Sequence, residues 1–278
     1  MPKYLVFRKH TRLASFAAAL FALAFGAGDT FAQYVPYRER PGAYDRSDSR
    51  AERGDQPGVF DYYVLSLSWS PTYCAGLREG RRDPQCEGRP YAFVLHGLWP
   101  QHERGWPQDC RSGDRGWVPA PVAERMLDIM PSKNLVFHEY RKHGTCSGLG
   151  VDGYFDLARR LYEKVKIPRR FVGLADDRFT IPPGELVREF LSANPQLKPD
   201  MIAVQCGGVG NRLKEVRVCF EKGGNFRSCG RNEDQGKLCA ADRMYVPPVR
   251  AGAAGTSPDR RVPSVRDILP GPRDERRL

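Results

Sequence analysis

The segment MIAVQCGGVGNRLKEVRVCF, Met201–Phe220, contains two apolar stretches separated by a glycine-rich interruption. Met201–Cys206 and Leu213–Phe220 are both rich in residues that favour β-strands. Gly207 and Gly208 lie between them and supply the conformational freedom that a turn needs. The segment therefore predicts two strands joined by a turn, which is the basic unit of an antiparallel sheet.

Two earlier segments predict further strands: YYVLSLSW at Tyr62–Trp69, and YAFVLH at Tyr91–His96, closed by Gly97. Helical periodicity occurs elsewhere. It predicts one helix at Pro121–Met130 and another at Gly184–Ala193. A third is predicted to begin after Asp152 as its N-cap, and one face of it carries Tyr154, Ala158, Leu161 and Val165. Strands mixed with helices, without strict β-α-β alternation, predict an α+β fold with a central, largely antiparallel sheet flanked by helices.

Residues 1–32 have the pattern of a secretory signal. Four lysines and arginines precede the thirteen-residue apolar run Leu13–Phe25, which is shorter than the roughly 20 residues that cross a bilayer as a helix. Small residues follow, so we predict cleavage after Ala32, a periplasmic or secreted location, and no membrane segment in the mature protein. An uncleaved membrane anchor is the alternative.

The flanking segments are too polar and proline-rich to fold alone. Residues 33–57 predict a disordered leader and residues 249–278 a disordered, arginine-rich basic tail. Residues 58–248 are enough for one domain, which we expect to be a monomer. The whole chain has a formal charge of +11. This charge suits a polyanion, but it would equally suit an anionic cell envelope.

Eight cysteines lie between Cys74 and Cys239, and none forms a C-x-x-C pair. An even number of cysteines in an exported chain indicates disulfides rather than metal ligands or redox thiols. The sequence alone allows 105 complete pairings of eight cysteines.

The segment FHEYRKHGTCSG, Phe137–Gly148, concentrates ionisable side chains. We predict a helix over Leu135–His143, with Asn134 as N-cap and Gly144 ending it. At about 100° per residue, four side chains fall within one arc of about 140°, and they are those of His138, Glu139, Lys142 and His143. Tyr140 and Arg141 point to the opposite side.

Zinc is a poor explanation of this arc. The two imidazoles diverge by about 140°, whereas ligands four residues apart lie within about 40° of each other. Lys142 would also place a positive charge beside the ion. Taken by itself, the segment would be interpreted first as a solvated, charged helix end with incidental histidines.

A second segment, YAFVLHGLWPQH, places His96 at the end of a predicted strand, ahead of Trp99. Together, HGLWP and HEYRKHGTC closely resemble the two active-site signatures of the ribonuclease T2 family, with Tyr140 in an aromatic position of the second. The resemblance extends over most of residues 58–246, where EVRVCFEKGGNFRSC is similar to a strand and hairpin of bacterial members. It does not cover the leader or the tail.

The resemblance implies a disulfide-stabilised catalytic domain that cleaves single-stranded RNA with low base specificity, needs no metal or cofactor, and does not cleave DNA. The 2′-hydroxyl would attack the phosphate, giving a 2′,3′-cyclic phosphate and then a 3′-phosphate. By the same resemblance, His143 is the general base, His96 the general acid, Lys142 a cation beside the phosphate and Glu139 a further catalytic residue. His138 is implied as a phosphate ligand.

Two tryptophans are candidate substrate-binding residues. Trp99 would form a flat wall for a base or support His96, with core packing as the alternative. Trp106 would stack on a nucleobase, with an ordinary surface or core aromatic as the alternative.

The resemblance also implies the disulfides, which are Cys110–Cys146, Cys206–Cys239, Cys219–Cys229 and Cys74–Cys86. Two other functions remain open at this point. One is a catalytically silent RNA-binding or toxin-like relative of the same fold. The other is a zinc hydrolase.

Overall fold

One six-stranded sheet organises the protein. The computed structural model describes residues 56–87, 89–172 and 179–249. The predicted signal segment, nearly all of the predicted leader and the basic tail lie outside these residues. The strands are β1 Tyr62–Trp69, β2 Phe93–Gln101, β3 Phe179–Ile181, β4 Ile202–Gly207, β5 Arg212–Phe220 and β6 Met244–Val246. Their order is β2-β1-β5-β6-β3, with β4 also paired to β5. The pairings are antiparallel except for one parallel contact between β5 and β6.

Six helices accompany this sheet in the described ranges, and the fold is α+β as predicted. They are α1 Ser70–Ala75, α2 Ala120–Glu124, α3 Lys133–Lys142, α4 Gly150–Lys164, α5 Pro183–Ala193 and α6 Gln235–Leu238. None of the helices in the described part of the chain is long and apolar enough to span a membrane.

Two of the predicted helices outside the histidine-rich segment need correction. The helix predicted over Pro121–Met130 is limited to α2 and continues as turns. Asp152 lies in the first turn of α4 rather than at its N-cap, which is Leu149. The predicted apolar face of α4 is buried in the main core, together with the β1 and β5 side chains that alternate toward it.

The strand predicted to end at His96 continues to Gln101, so the predicted end is wrong. The prediction ends the strand at Gly97, but β2 runs through this glycine and through Pro100, and it is an edge strand, where proline is tolerated. Ser66 pairs with Gly97 and Leu67 with Leu95, which leaves His96 as the extra residue of a β-bulge. Bulges of this kind redirect side chains beside active sites.

The bulge has a simple packing cause. Leu95 and Leu98 are both fully buried in the main core although they are three residues apart. Strict alternation would send side chains three apart to opposite faces. The extra residue restores the match, and it leaves His96 free to face away from the core.

The four disulfides of the structure are the pairs that the family resemblance implies: Cys74–Cys86, Cys110–Cys146, Cys206–Cys239 and Cys219–Cys229. Cys110 lies in the loop after β2, and Cys146 lies in the 3-10 turn Gly144–Ser147 that follows α3. This bridge therefore connects the chain segments that follow the two histidine-bearing elements.

Candidate active site

A cleft of about 560 Å³ lies beside β2, β5 and α3. Its volume is within the range typical of small-molecule sites. All seven side chains that the sequence singles out line this one cleft, and they are His96, Trp99, Trp106, His138, Glu139, Lys142 and His143. Sequence segments about forty residues apart therefore meet at one surface.

Helix α3 carries three of these side chains and its C-cap carries the fourth, although the ends of the helix differ from the prediction. It begins at Lys133 and ends at Lys142, so Asn134 lies inside the helix and His143 occupies the C-cap position. Tyr140 is fully buried on the opposite face, where its ring lies 5.7 Å from that of Tyr154. Burial of this tyrosine fixes the rotation of the helix and turns the ionisable arc toward the cleft.

The chain turns sharply after His143, and only a glycine fits at the next position. A Cβ atom on Gly144 would lie 2.3 Å from Cδ2 of Tyr140. The main chain of the loop that carries Cys110 is also attached here, because the amide of Asp109 donates to the carbonyl of Lys142 at 2.8 Å.

Trp99 contacts both imidazoles of the cleft. The centroid of its ring lies 5.1 Å from that of His96 and 5.4 Å from that of His143. Its Nε1 donates to Oε2 of Glu139 at 2.7 Å. The indole therefore lies between the two histidines and is bonded to the carboxylate of Glu139.

His96 lies between two carboxylates. Its Nδ1 is 2.6 Å from Oε1 of Glu215, and its Nε2 is 3.5 Å from Oε1 of Glu139. Burial, the largest single influence, lowers the pKa of His96. The hydrogen bond to Glu215 and the charges of the two carboxylates outweigh it, so the pKa is raised above its ordinary value. The two carboxylates therefore favour the protonated, imidazolium form of His96.

The two carboxylates differ in their electrostatics. Burial raises the pKa of both, and for Glu139 this outweighs the opposing effects of His96 and Trp99, so its pKa stays raised. For Glu215, the hydrogen bond with His96 and the nearby Arg217 prevail and lower the pKa. Glu215 is thus the firmly ionised partner of His96.

His143 has the opposite environment. It is 7% exposed, and its buried Nδ1 has no hydrogen-bond partner among the residues that the structure describes. Burial, followed by the positive charges of Lys142, His96 and His138, lowers its pKa to about 3. An imidazole with no anionic partner stays neutral, and a neutral imidazole can accept a proton.

The remaining three predicted residues, Lys142, His138 and Trp106, have fewer contacts within the cleft. Lys142 lines the cleft and forms no salt bridge within the described part of the chain. His138 also lines it. Trp106 is 54% exposed, and its Nε1 donates to Oε1 of Gln108 at 3.4 Å. Its indole face is accessible at the rim.

The far side of the cleft was not predicted from the sequence. It is formed by Gln101, Gln205, Glu215, Arg217, Arg231, Asn232, Glu233 and Lys237. A signal for two of these residues is present in EVRV on β5. There Glu215 and Arg217 alternate with core valines, and opposite charges on one face of a buried strand are costly unless they are paired. Among the described residues, no group of three or more His, Cys, Asp or Glu side chains is arranged to hold a metal ion.

Comparison with known proteins gives one family. The family model described as "Ribonuclease T2 family" matches residues 60–229. A ribonuclease of Aeromonas hydrophila is 42% identical over 122 residues, which are 44% of this chain and 54% of the relative. A probable ribonuclease of Haemophilus influenzae is 29% identical over 197 residues, which are 66% of this chain and 65% of the relative. The chain thus spans between half and two thirds of the length of these relatives.

Solved structures show the same fold. A mutant of RNase MC1 in complex with 5′-UMP has a TM-score of 0.53 at 20% identity, covering 66% of this chain and 97% of the other. RNase NT in complex with 5′-AMP has a TM-score of 0.52 at 23% identity, covering 68% and 98%. At these identities the likeness concerns the fold alone.

Proposed function

The chain belongs to the ribonuclease T2 family, and we propose that it is an endoribonuclease that cleaves single-stranded RNA in this cleft without a metal ion. The observation that carries the proposal is the electrostatic contrast between two imidazoles that share one cleft and one indole. His96 lies between two carboxylates, whereas His143 has none. One histidine is therefore set up to donate a proton while the other accepts one. The ribonuclease names of the similar curated proteins support this function.

In the first step, neutral His143 removes the proton of the 2′-hydroxyl, and the 2′-oxygen attacks the adjacent phosphorus. The bond from phosphorus to the 5′-oxygen breaks, and His96 gives its proton to that oxygen. The products are a 2′,3′-cyclic phosphate and a free 5′-hydroxyl. General acid–base assistance of this kind is typically worth roughly 10² to 10⁴ in rate.

In the second step the roles reverse. His96, now neutral, takes a proton from water, which attacks the cyclic phosphate, and His143 returns its proton to the 2′-oxygen. The product is a 3′-phosphate. This step needs the protonation state that the resting site disfavours, because the pKa of His96 is raised and that of His143 is lowered.

Charge that develops on the non-bridging oxygens requires a nearby cation. Lys142 supplies it, and a fixed cation stabilises the transition state more than the ground state. The neighbouring His138 is a phosphate ligand in this scheme. Glu139 holds Trp99 in place through the 2.7 Å hydrogen bond and stays close enough to His96 to support its charge.

The substrate class follows from the chemistry. DNA lacks the 2′-hydroxyl nucleophile and is not cleaved. The exposed indole of Trp106 offers a stacking face that every base can use, since stacking is tolerant of sequence. We therefore propose low base specificity.

Export to the periplasm or beyond is the natural setting of this enzyme. Four disulfides are characteristic of an oxidising compartment, and the N-terminal pattern of residues 1–32 is that of a cleaved signal. We propose a monomer with Gln33 at its N-terminus. N-terminal sequencing of the exported protein and its mass in solution test both statements.

The test of the activity uses the full mature chain and a fluorogenic RNA oligonucleotide in EDTA. We expect cleavage in chelator, with 2′,3′-cyclic phosphate ends in the mass spectrum. A single 2′-deoxynucleotide should block cleavage on its 3′ side. His96→Ala and His143→Ala should each lose roughly 10²-fold or more in kcat/KM.

His102→Ala is the matched control. His102 is a histidine of the same chain segment, but it lies outside the cleft lining, 3.7 Å from Asp61, so its removal should leave the rate unchanged. RNA binding without cleavage would identify a silent relative. Loss of activity in EDTA, restored by zinc, would identify a metal hydrolase. Either result would overturn the proposal.

A further inference from the structure

Glu215 is a buried carboxylate that contacts His96, the proposed general acid, from the side of the cleft opposite to α3. It lies on β5 and is 8% exposed. Its Oε1 is 2.6 Å from Nδ1 of His96, and β5 places it across from Ser68 of β1. It comes more than a hundred residues after His96 in the sequence and belongs to neither histidine signature.

The second oxygen of Glu215 is occupied as well. Oε2 accepts hydrogen bonds from Nε and one terminal nitrogen of Arg217 at 3.2 and 3.1 Å. Arg217 is held in turn by Oε1 of Gln205 at 3.0 Å and lies over the ring of Trp99 at 5.1 Å. The carboxylate is therefore fixed in position by a guanidinium that is itself fixed.

This arrangement determines which nitrogen of His96 faces the reaction. Nδ1 is committed to Glu215, so Nε2 is the nitrogen left to give its proton to the departing oxygen. After that transfer, the remaining proton stays on Nδ1, because the ionised carboxylate continues to accept it. A hydrogen bond to one ring nitrogen sets the tautomer at the other.

Resting on the proposed function, we propose that Glu215 is a positioning residue that orients His96 and keeps its transferable proton on Nε2, and that Arg217 fixes Glu215 in that role. The charged groups that face His96 are Glu215 and Arg217 from β5, Glu139 from α3, and the imidazole of His143 that follows α3. The two carboxylates raise the pKa of His96, and the charge of Arg217 lowers it.

Glu215→Gln and Arg217→Gln test this pair in opposite directions. Glu215→Gln keeps an acceptor for Nδ1 of His96 but removes the negative charge, so the pKa of His96 should fall. Arg217→Gln removes a positive charge that lowers the pKa of His96, so this pKa should rise. NMR titration of the His96 ring measures both shifts without any catalysis. General destabilisation would not move one titration down and the other up.

Kinetics with two substrates provide the second measurement. Glu215→Gln should slow cleavage of RNA by roughly 10-fold to 100-fold, as part of the 10² to 10⁴ that general acid–base catalysis supplies. It should have little effect on uridine 3′-(4-nitrophenyl phosphate), whose leaving group departs without protonation. Glu215→Asp keeps the charge but shortens the reach, so its rate on RNA should lie between those of the wild type and the glutamine variant.

The outcomes separate the two proposals. If wild-type protein cleaves RNA but the glutamine variant at 215 leaves the titration of His96 unchanged, or slows both substrates equally, the positioning role is wrong. If the titrations shift as expected in a protein that does not cleave RNA, the positioning role stands and the proposed function fails. Thermal unfolding of each variant shows that the compared proteins are folded.

Discussion

Replacing Gly97 by alanine should displace Glu139 and Trp99 and thereby lower the catalytic rate. A Cβ atom at this position would lie 2.1 Å from Oε2 of Glu139 and 2.5 Å from Nε1 of Trp99. These are the two atoms joined by the 2.7 Å hydrogen bond. The carboxylate must move by about 1 Å to restore an ordinary contact, and the bond to the indole is lost when it does.

The magnitudes can be worked from these contacts. Overpacking a buried site costs about 1 to 3 kcal/mol, and a lost hydrogen bond to a charged group costs about 1.5 to 3 kcal/mol. We therefore expect Gly97→Ala to lower the free energy of unfolding by about 2.5 to 6 kcal/mol, which leaves most domains in the usual range of about 5 to 15 kcal/mol folded. A misplacement of about 1 Å in a catalytic site can lower the rate about 10²-fold.

Urea unfolding and steady-state cleavage of a fluorogenic RNA measure the two effects. The control is Gly113→Ala, since a Cβ atom on Gly113 meets nothing within 4 Å; it should stay within about 0.5 kcal/mol of wild type. Alanine also favours a strand more than glycine does, so secondary-structure preference alone predicts a more stable Gly97 variant. Wild-type kcat and unchanged stability in that variant would refute the argument.

The rate of the cyclisation step should be lost as pH falls through the pKa of the general base, about 3, and lost again as pH rises through the raised pKa of the general acid; a pH–rate profile with its acid limb near 6.5 would contradict this. Cyclic phosphate ends should accumulate in early time points, because the raised pKa of His96 and the lowered pKa of His143 disfavour the reversed protonation state that the second step needs; mass spectrometry that finds only 3′-phosphates would exclude it. Replacing both Cys110 and Cys146 by serine should cost about 3 to 4 kcal/mol and reduce activity, measured by urea unfolding and cleavage under non-reducing conditions. Trp106→Ala should raise KM by roughly 5-fold to 100-fold with little change in kcat, whereas alanine at Trp117, which is exposed but outside the cleft lining, should change neither.

Local sequence patterns were enough to predict much of the fold. The strand Tyr62–Trp69 has the predicted bounds, and the helix predicted over Gly184–Ala193 begins only one residue earlier. Alternation and helical periodicity are properties of the segment itself, so they can be read without a partner. The common face of the ionisable side chains of α3 is also a local property, because it follows from the helical repeat alone.

Features that depend on pairing between distant segments could not be predicted in this way. The bulge at His96 exists because β1 and β2 must both bury their leucines, and register is a property of two strands together. The same holds for Glu215, whose role depends on β5 lying two strands away from β2. A charged residue within a buried strand signals a partner, but not which one.

The difference in pKa between His96 and His143 also depends on contacts between distant segments. Glu139 and His143 are four residues apart, a spacing that brings side chains together within a helix. The helix ends at Lys142, however, and the carboxylate lies against Trp99 and His96 of β2 instead. The carboxylate of Glu139 therefore does not pair with His143, and His96 lies beside two carboxylates, those of Glu139 and Glu215. The opposite proton affinities on which acid–base catalysis depends thus arise from tertiary packing, between residues that are neighbours only in space.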